Sequence, residues 1–385
     1  MNELPQAPPL SLYVHLPWCV RKCPYCDFNS HAAGARAPRA RYLEALLLDM
    51  RVEADRAAGR PLMSIFLGGG TPSLFSPQEI GALLAGVSKY FVLADGIEVT
   101  MEANPGTLEC GEPLGYRQAG VNRLSIGAQS FRSESLQVLG RIHSADDILR
   151  SVQEAEAAGF TNINLDIMYA LPGQTLDDAR FDLEQAIGLR PAHISWYQLT
   201  LEPNTVFYAQ PPPGIPDDDL SYEIQQEGQS LLAACGYEQY EISAYASNGQ
   251  RCRHNLNYWS FGDYVAIGAG AHGKISRAGG VWRYVKAANP TRYMELMESG
   301  RGNVDLTAVG DAERVFEFML NALRLTEGFE MRLFEERTGL AAELIREKLA
   351  ALQKNRLVAA LDGSVWRVTG RGQRFLNDVQ AEFLP

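Results

Sequence analysis

Short β-rich runs alternate with longer helical runs along the first half of the chain, and this alternation leaves few folds open. The β-rich runs lie at 12–16, 64–67, 97–102, 123–127, 163–168 and 193–199. Helical patterns fill the gaps, as at 41–58 and at 76–91, where Ser76, Pro77 and Glu79 make a helix start. Strands that alternate with helices build parallel sheets. The sequence therefore predicts an α/β fold built on a partial (β/α)6 TIM barrel.

The pattern changes after about residue 210, where a proline- and acid-rich stretch follows the sixth strand. A polar and aromatic segment beyond it ends in HNLNYW at 254–259. From about 305 the order becomes helix, two short strands around an Asp-Gly turn, and helix, which is typical of a winged helix. We expect a barrel over 1–210, a barrel extension over 211–304 and a small winged-helix-like domain over 305–385. That last domain would cover the open side of the barrel or dock a protein client.

Charge and hydropathy argue against two classes of protein. The formal net charge is −11 and the isoelectric point is near 5.2, whereas a nucleic-acid binder normally has a basic face. The longest apolar runs, such as ALLL at 45–48, are far shorter than the roughly 20 residues of a membrane span. The start, MNELPQAPPL, has no basic segment followed by an apolar one. We expect a cytoplasmic protein without a membrane span or a nucleic-acid partner, and leave peripheral membrane contact open.

Glycine and polar residues occur at the carboxyl ends of the predicted strands. They are Gly68–Gly70 and Thr71 after the second strand, Glu102 at the third, Gln129 after the fourth and Asp166 in the fifth. The carboxyl ends of barrel strands form one face, so these residues are expected to converge. Glycine lets the backbone approach a ligand closely, and Arg141 would add a cationic donor. The sequence therefore predicts a small-molecule site at this face.

Three of the six cysteines are spaced C-x3-C-x2-C in the loop after the first strand. They are Cys19, Cys23 and Cys26. A structural zinc ion needs a fourth ligand, and His31 is an isolated candidate. A [4Fe–4S] cube bound by three cysteines instead leaves one iron open to a small molecule. The spacing favours the cluster over zinc, and the scattered Cys110 and Cys235 are interpreted as ordinary buried or surface residues.

Six motifs, together with the cysteine spacing, give the chain a family resemblance. The motifs are YVHLPWC, GGGTPS, EANPGT, RLSIGAQSF, LDIMYALPGQT and HNLNYW. They resemble the radical S-adenosylmethionine (SAM) enzymes, whose signature C-x3-C-x2-C follows the first barrel strand. More narrowly, about residues 10–380 are similar to the branch that contains the oxygen-independent coproporphyrinogen III oxidases (HemN) and the heme chaperones (HemW).

The resemblance implies a set of cofactor contacts. The three cysteines would bind the cluster, and the amino and carboxylate groups of SAM would bind its fourth iron. The positions that match SAM-contacting residues of the family are Tyr13, Tyr25, Gly69, Gly70, Thr71, Glu102, Gln129, Arg141 and Asp166. Carboxylates in this set would bind the ammonium and ribose hydroxyls, and Arg141 the carboxylate. A separate electron donor would reduce the cluster.

Two departures from the oxidases favour the chaperones within this branch. The oxidases typically continue the signature with a fourth cysteine, where this chain has Phe28, and they carry an N-terminal extension. The first strand here begins by residue 12, which leaves no room for that extension. The resemblance thus implies a heme chaperone that binds heme, a [4Fe–4S] cluster and SAM and delivers heme to a client apo-hemoprotein. The alternative is a radical SAM coproporphyrinogen III oxidase, which decarboxylates its substrate to protoporphyrinogen.

His254, the first residue of HNLNYW, is the candidate axial ligand of heme. Neutral imidazole is a common proximal ligand, and Tyr258 and Trp259 offer planar surface for a porphyrin. The alternative is that His254 only makes hydrogen bonds within its loop. His272 is a second candidate ligand, and the thiolate of Cys252 is a third.

Overall fold

The computed structural model of the chain describes residues 7–34, 37–106, 113–277, 280–361 and 363–385. The strands are β1 (Leu10–Leu16), β2 (Trp18–Cys19), β3 (His31–Ala32), β4 (Leu62–Gly69), β5 (Leu93–Ala103), β6 (Arg123–Gln129), β7 (Ile163–Tyr169), β8 (His193–Gln198), β9 (Glu238–Glu241), β10 (Ala244–Ala246), β11 (Asp263–Ile267), β12 (His272–Arg277), β13 (Gly280–Val285), β14 (Thr307–Ala308), β15 (Phe329–Glu330), β16 (Val358–Leu361) and β17 (Val365–Val368). Cys110 and Asp362, the aspartate of the expected turn, lie outside the described residues.

The helices of the described ranges alternate with these strands through the first half of the chain. They are α1 (Arg39–Ala57), α2 (Pro77–Tyr90), α3 (Pro113–Ala119), α4 (Ser133–Val138), α5 (Ala145–Ala157), α6 (Leu176–Gly188), α7 (Val206–Ala209), α8 (Asp218–Ala234), α9 (Arg253–Trp259), α10 (Pro290–Glu298), α11 (Asp311–Ala322), α12 (Met331–Thr338), α13 (Glu343–Lys354), α14 (Gly370–Arg374) and α15 (Leu376–Ala381). In α2 the expected capping box is present, with Ser76 accepting from the amide of Glu79. No helix in the described ranges is long and apolar enough to span a membrane.

A mixed sheet of twelve strands forms the centre of the fold, in the order β14-β13-β12-β11-β1-β4-β5-β6-β7-β8-β10-β9. The six strands expected from the sequence are β1, β4, β5, β6, β7 and β8, and each pairs in parallel with the next. Because the strands are parallel, their carboxyl ends lie at one edge of the sheet. The predicted α/β class of the fold is confirmed.

Residues beyond 210 extend this sheet on both sides. β11 adds a seventh parallel strand on the free edge of β1, with Val265 opposite Leu12, and β12 to β14 continue antiparallel. The β9–β10 hairpin pairs antiparallel with β8 on the other side. Both edges of the six-stranded unit are thus paired by residues 238–308. Beyond them, Leu325 of the C-terminal residues forms a bridge with Glu241 of β9. The prediction missed β11 because its run DYVAI is buried throughout and shows no alternation.

Alternating residues give the parallel sheet one apolar and one polar face. On β1, Leu12 and Val14 belong to the main hydrophobic core, together with Tyr42 and Leu46 of α1. The residues between them point the other way, where polar side chains make hydrogen bonds from strand to strand. Such bonds join Ser11 to Ser64 (2.8 Å), Asn164 to Ser125 (2.7 Å) and His193 to Asn164 (2.6 Å). This polar face surrounds the cavities described below.

The C-terminal residues contain a second hydrophobic core. Its larger buried side chains are Phe318, Phe334, Ile345, Leu349 and Trp366. β16 and β17 pair antiparallel after α13, in the order expected of a winged helix. Phe261 and Val281 of the barrel extension belong to the same core, so the C-terminal residues pack on the extension.

Candidate functional site

The three cysteines lie on the loop that joins β1 to α1. β2 and β3 pair in parallel and close this loop at its base, where the amide of Ala33 donates to the carbonyl of Cys19 (2.6 Å). The amide of Thr71 donates to the carbonyl of Trp18 (2.7 Å), which ties the loop to the glycine-rich turn after β4. The cysteines are thereby held at the carboxyl ends of the barrel strands.

The thiols are partly buried and have polar neighbours. Arg141 Nη1 donates to Cys23 Sγ (3.6 Å), and Ser30 Oγ lies 3.8 Å from Cys26 Sγ. Burial raises the pKa of Cys19 and of Cys26, so a bound metal must stabilise their thiolates. Within the described ranges, no three His, Cys, Asp or Glu side chains converge as ligands of one metal ion. Three separated thiols fit a cube, in which each binds a different iron, better than a mononuclear zinc site.

The thiols line a cavity of about 320 Å³ at the carboxyl ends of the strands. Tyr25, Gly69, Gly70, Thr71, Glu102, Gln129, Arg141 and Asp166 line it as well. Of the positions expected to contact SAM, the cavity thus brings together all but Tyr13. Its size falls within the roughly 300–1,000 Å³ of small-molecule sites. We call it the cysteine cavity.

The protein's own packing requires glycine at two positions of this cavity. Gly69 has a φ of +109°, and a Cβ there would lie 2.4 Å from Cε1 of His15. A Cβ on Gly70 would lie 2.6 Å from the carbonyl oxygen of Trp18. The sequence analysis explained these glycines by the close approach of a ligand. In the structure, contacts within the protein already exclude a side chain at both positions. His15 was missed, although it lies on the same face of β1 as Tyr13.

Two carboxyl groups belong to the cysteine cavity. The amide of Gly69 donates to Glu102 Oε2 (3.1 Å), and Asp166 accepts from Ser125 Oγ (3.1 Å) and Asn164 Nδ2 (2.9 Å). Burial, and then the charge of Asp166, raises the pKa of Glu102 to about 8. Burial also raises the pKa of Asp166. Glu102 is therefore largely protonated at neutral pH until a cation stabilises its carboxylate.

Arg141 lines the same cavity and has a side-chain donor without a partner among the described residues. Its Nη2 donates to the carbonyl of Gly127 (2.7 Å), whereas its buried Nε has no hydrogen-bond partner among the described residues. Gln129, which has a φ of +68°, accepts from the hydroxyl of Tyr197 (2.8 Å). A buried donor without a partner fits a ligand that brings an acceptor such as a carboxylate. Tyr197 was not predicted from the sequence, because alternation along the strands places many residues on the same face and does not single this one out.

A second cavity of about 560 Å³ adjoins the first. The residues that line both are Phe28, Gly69 and Glu102. Tyr13, His254, Tyr258, Trp259 and His272 line only the second, which we call the aromatic cavity. Tyr13 contacts His15 through its hydroxyl, 3.0 Å from Nδ1. The two cavities are therefore neighbours that share one wall.

His254 is held in the first turn of α9 by contacts from two strands. Its amide donates to Glu98 Oε1 (3.2 Å), the amide of Arg253 donates to Glu98 Oε2 (3.1 Å), and its Nδ1 lies 3.1 Å from Ser64 Oγ. Burial, and then the charge of Arg123, lowers the pKa of His254 to about 3. The imidazole is thus neutral at physiological pH, and its Nε2 has no partner within the described ranges. Glu98 was not predicted, because nothing in the sequence indicates that a carboxylate in the middle of this strand accepts hydrogen bonds from the amides at the start of α9.

The two other candidate heme ligands have different surroundings. His272 is exposed at the start of β12 and lines the aromatic cavity. Cys252 is fully buried, and its Sγ lies 3.6 Å from Glu98 Oε1. Burial raises the pKa of Cys252 to about 12, which disfavours a thiolate. Cys252 is also not among the residues that line the aromatic cavity.

Known protein families match this chain along most of its length. Residues 13–186 match the radical SAM superfamily, and residues 311–375 match the HemN C-terminal domain. The heme chaperone HemW of Haemophilus influenzae is 47% identical, over 99% of both chains. The chain belongs to the HemW family. HemW of Escherichia coli is 47% identical over 98% of both chains, and HemW of Bacillus subtilis is 35% identical over 97% of this chain and 99% of its own.

The fold has a counterpart among solved structures. Coproporphyrinogen III oxidase (HemN) from Escherichia coli, a radical SAM enzyme, matches with a TM-score of 0.80. The match covers 98% of this chain and 90% of that one at 23% identity, so it shows a shared fold. Membership of the radical SAM superfamily implies a [4Fe–4S] cluster and SAM as cofactors. The fit described above, with three separated thiols beside the unpartnered Arg141 Nε, agrees with that implication.

Proposed function

We propose that this protein is a heme chaperone that binds heme beside a [4Fe–4S] cluster and SAM and passes heme to apoproteins. The observation that carries the proposal is the aromatic cavity. Neutral His254 lines it with aromatic side chains around it, and it shares a wall with the cysteine cavity. The relatives named heme chaperones at 47% identity support the same function.

The cysteine cavity would hold the cluster and SAM. Cys19, Cys23 and Cys26 would bind three irons. Arg141 would take the carboxylate of SAM, and Glu102 would accept from its amino group, since Arg141 has an unused donor and Glu102 is a buried carboxyl group of the cavity lining. Asp166 and Gln129 would take hydroxyl groups of the ribose, and Gly69, Gly70, Thr71 and Tyr25 would line the rest. The cluster supplies one-electron chemistry when bound.

The aromatic cavity would hold heme. Its pair Tyr258 and Trp259 would contact the porphyrin, Tyr13 would border it, and His254 would bind the iron through Nε2. His272 lines the same cavity and is the second candidate ligand. A client apo-hemoprotein and an electron donor remain the expected partners. The cytoplasmic location and the lack of a nucleic-acid partner remain predictions from the sequence.

The alternative is an oxygen-independent coproporphyrinogen III oxidase, which the shared fold with HemN favours. Phe28 stands where those oxidases typically have a fourth cysteine, and it lines both cavities. This difference at the signature favours the chaperone.

The test is to compare heme binding and decarboxylation in one preparation. With the cluster reconstituted anaerobically, the protein should bind heme in a Soret titration and should not convert coproporphyrinogen III. His254→Ala should weaken heme binding and shift the Soret band while the cluster absorbance stays, because the two sites lie on separate segments. Unchanged heme affinity in His254→Ala would return His254 to a structural role and make His272→Ala the next variant. Turnover of coproporphyrinogen would support the oxidase.

A further inference from the structure

A chain of hydrogen bonds leads from Asn257 to the ring of His254. Asn257 Nδ2 lies 2.9 Å from Ser11 Oγ, Ser11 Oγ lies 2.8 Å from Ser64 Oγ, and Ser64 Oγ lies 3.1 Å from His254 Nδ1. Ser11 is 1% exposed and Ser64 is fully buried, so neither hydroxyl reaches bulk water. Among the described residues, the hydroxyl of Ser11 has only Asn257 and Ser64 as partners, and that of Ser64 has only Ser11 and His254. We call these three bonds the relay.

The backbone fixes the direction of the relay. Asn257 Nδ2 also lies 2.9 Å from the carbonyl oxygen of Asp263, which can only accept, so the amide must turn its NH₂ group toward it. One hydrogen of Nδ2 therefore goes to Asp263 and the other to Ser11. The hydroxyl hydrogen of Ser11 then has one acceptor, Ser64 Oγ. The hydrogen of Ser64 in turn has one acceptor, Nδ1 of His254.

We propose that Asn257, Ser11 and Ser64 are positioning residues that hold His254 in the tautomer with its hydrogen on Nε2. An Nδ1 that accepts a hydrogen bond carries no hydrogen, so the neutral ring has its single hydrogen on Nε2. His254 lines the aromatic cavity and therefore presents a donor there before heme binds. The inference rests on the proposed function, since it concerns how His254 meets a heme iron.

The relay opposes the bond between His254 and iron. Iron binds imidazole through a nitrogen lone pair, so binding at Nε2 requires that hydrogen to appear on Nδ1 instead, with no proton gained or lost overall. Nδ1 must then donate to Ser64, and Ser64 to Ser11. Ser11 still accepts from Asn257, so its own hydrogen is left buried without an acceptor, which costs free energy in the heme-bound state. Weakened ligation suits a protein that must release heme.

Nitrogen NMR reports the tautomer without heme. In protein labelled with ¹⁵N-histidine, the His254 signals can be assigned as those missing from His254→Gln. At pH 7 they should show a protonated Nε2 and an unprotonated Nδ1. A protonated Nδ1 in the heme-free protein would overturn the proposal. That outcome is independent of whether His254→Ala affects heme binding, so failure of the relay and failure of the proposed heme site are separate results.

Asn257→Asp should reverse the relay. In its neutral form the new carboxyl group has the shape of the amide, and the oxygen at the position of Nδ2 can donate to the carbonyl of Asp263 while it accepts from Ser11. Ser11 can then accept from Ser64, and Ser64 from Nδ1. The hydrogen of His254 should then appear on Nδ1, and heme affinity in a Soret titration should rise about tenfold, the effect of one unsatisfied buried hydroxyl removed. A folded variant with normal cluster absorbance and an unchanged tautomer would contradict the relay. If this variant does not fold, the wild-type tautomer still decides.

The double variant Ser11→Ala/Asn257→Asp is the matched control. Without the hydroxyl of residue 11, the carboxyl group has no hydrogen-bonded route to Ser64. The tautomer and the heme affinity should both return to the wild-type values. If the double variant keeps the effect of Asn257→Asp, the carboxyl group acts through its charge, and the relay is wrong.

Discussion

The carboxylate of Glu98 accepts a hydrogen bond from the amide of His254 (3.2 Å). Glu98 belongs to β5, the strand that also carries Glu102, a residue of the wall shared by the two cavities. One strand therefore contributes a wall residue to the cysteine cavity and fixes the backbone of the candidate heme ligand. The two cavities have largely different lining residues, but the geometry of both depends on β5.

Glu98→Gln should weaken heme binding and leave SAM binding unchanged. Glutamine keeps one acceptor, but its NH₂ group replaces the other oxygen and faces the amide of either Arg253 or His254, which can only donate. Hydrogen bonds to charged groups contribute about 1.5–3 kcal/mol, so heme affinity should fall about tenfold or more in a Soret titration. Glu79→Gln, which alters a similar cap in α2, should leave heme affinity unchanged. Equal losses in both variants would indicate general destabilisation.

The affinity for SAM should rise with pH through the titration of Glu102. Its pKa of about 8 lies above the model-compound value of 4.5, so the unliganded site holds a proton at pH 7 that must leave before Glu102 can accept from the amino group of SAM as a carboxylate. Isothermal titration between pH 6 and 9 should show proton release on binding. Glu102→Gln should remove this component while keeping any pH dependence of SAM itself. Identical pH profiles in the two proteins would exclude Glu102 as the partner of the amino group.

Glu102 should also affect folding stability in a defined pH window. Between about pH 4.5 and 8 the folded carboxyl group binds more protons than the unfolded one. The free energy of unfolding of the unliganded protein should therefore fall as the pH rises through this window. Denaturant titrations should show a shallower decline in Glu102→Gln. A wild-type protein whose Glu102 contribution grows with pH would contradict the raised pKa.

Each of the variants Cys19→Ser, Cys23→Ser and Cys26→Ser should lose the absorbance near 400 nm and most of the bound iron. A cube with two protein thiolates lacks the ligands to persist in water. Cys235→Ser is the matched control, because Cys235 is exposed and lies outside the cysteine cavity. Full iron content in any of the three variants would remove that residue from the ligand set. Stoichiometric zinc without iron or sulfide in the wild-type protein would support the zinc interpretation instead.

Gly69→Ala should destabilise the fold. The new Cβ would lie 2.4 Å from His15 Cε1 at a φ of +109°, and such strain costs roughly 1–3 kcal/mol before any steric contact is added. Urea titration should show the loss as a lower midpoint. Gly188→Ala is the control, since a Cβ there meets nothing within 4 Å. Equal stability of the two variants would contradict the packing of Gly69 on His15.

Removing residues 305–385 should lower solubility and heme retention. The truncation exposes Phe261 and Val281, which pack in the second hydrophobic core. It also removes Arg324, whose guanidinium carbon lies 4.1 Å from the ring centroid of Trp259. The full chain should show no salt-sensitive binding to duplex DNA, because residues 305–385 carry 11 Lys and Arg against 13 Asp and Glu. A soluble, heme-binding truncation would contradict the first expectation. Sub-micromolar DNA affinity at physiological salt would contradict the second.

The sequence predicted the six parallel strands because each has a helix after it and a buried pattern of its own. It did not predict β11, since a five-residue buried run has no period that separates it from a helix or loop core. The residues at strand ends were found because barrel geometry gathers them at one face. Ser11, Ser64 and Glu98 were not found, because their roles depend on which strands become neighbours. Asn257 reaches Ser11 only after the chain has returned to the start of the sheet.

The pairing of β11 with β1 has a consequence for the order of events during synthesis. The edge of β1 that accepts β11 has no partner until residues 263–267 have left the ribosome, well after the cysteine loop has emerged. Contacts this distant in sequence slow folding, and an unpaired edge strand invites association with other chains. The nascent chain thus displays its cysteines on an incomplete sheet for most of its translation. Cluster insertion before β11 emerges would act on an incomplete sheet, whereas insertion afterwards would act on a sheet in which β1 is paired on both sides.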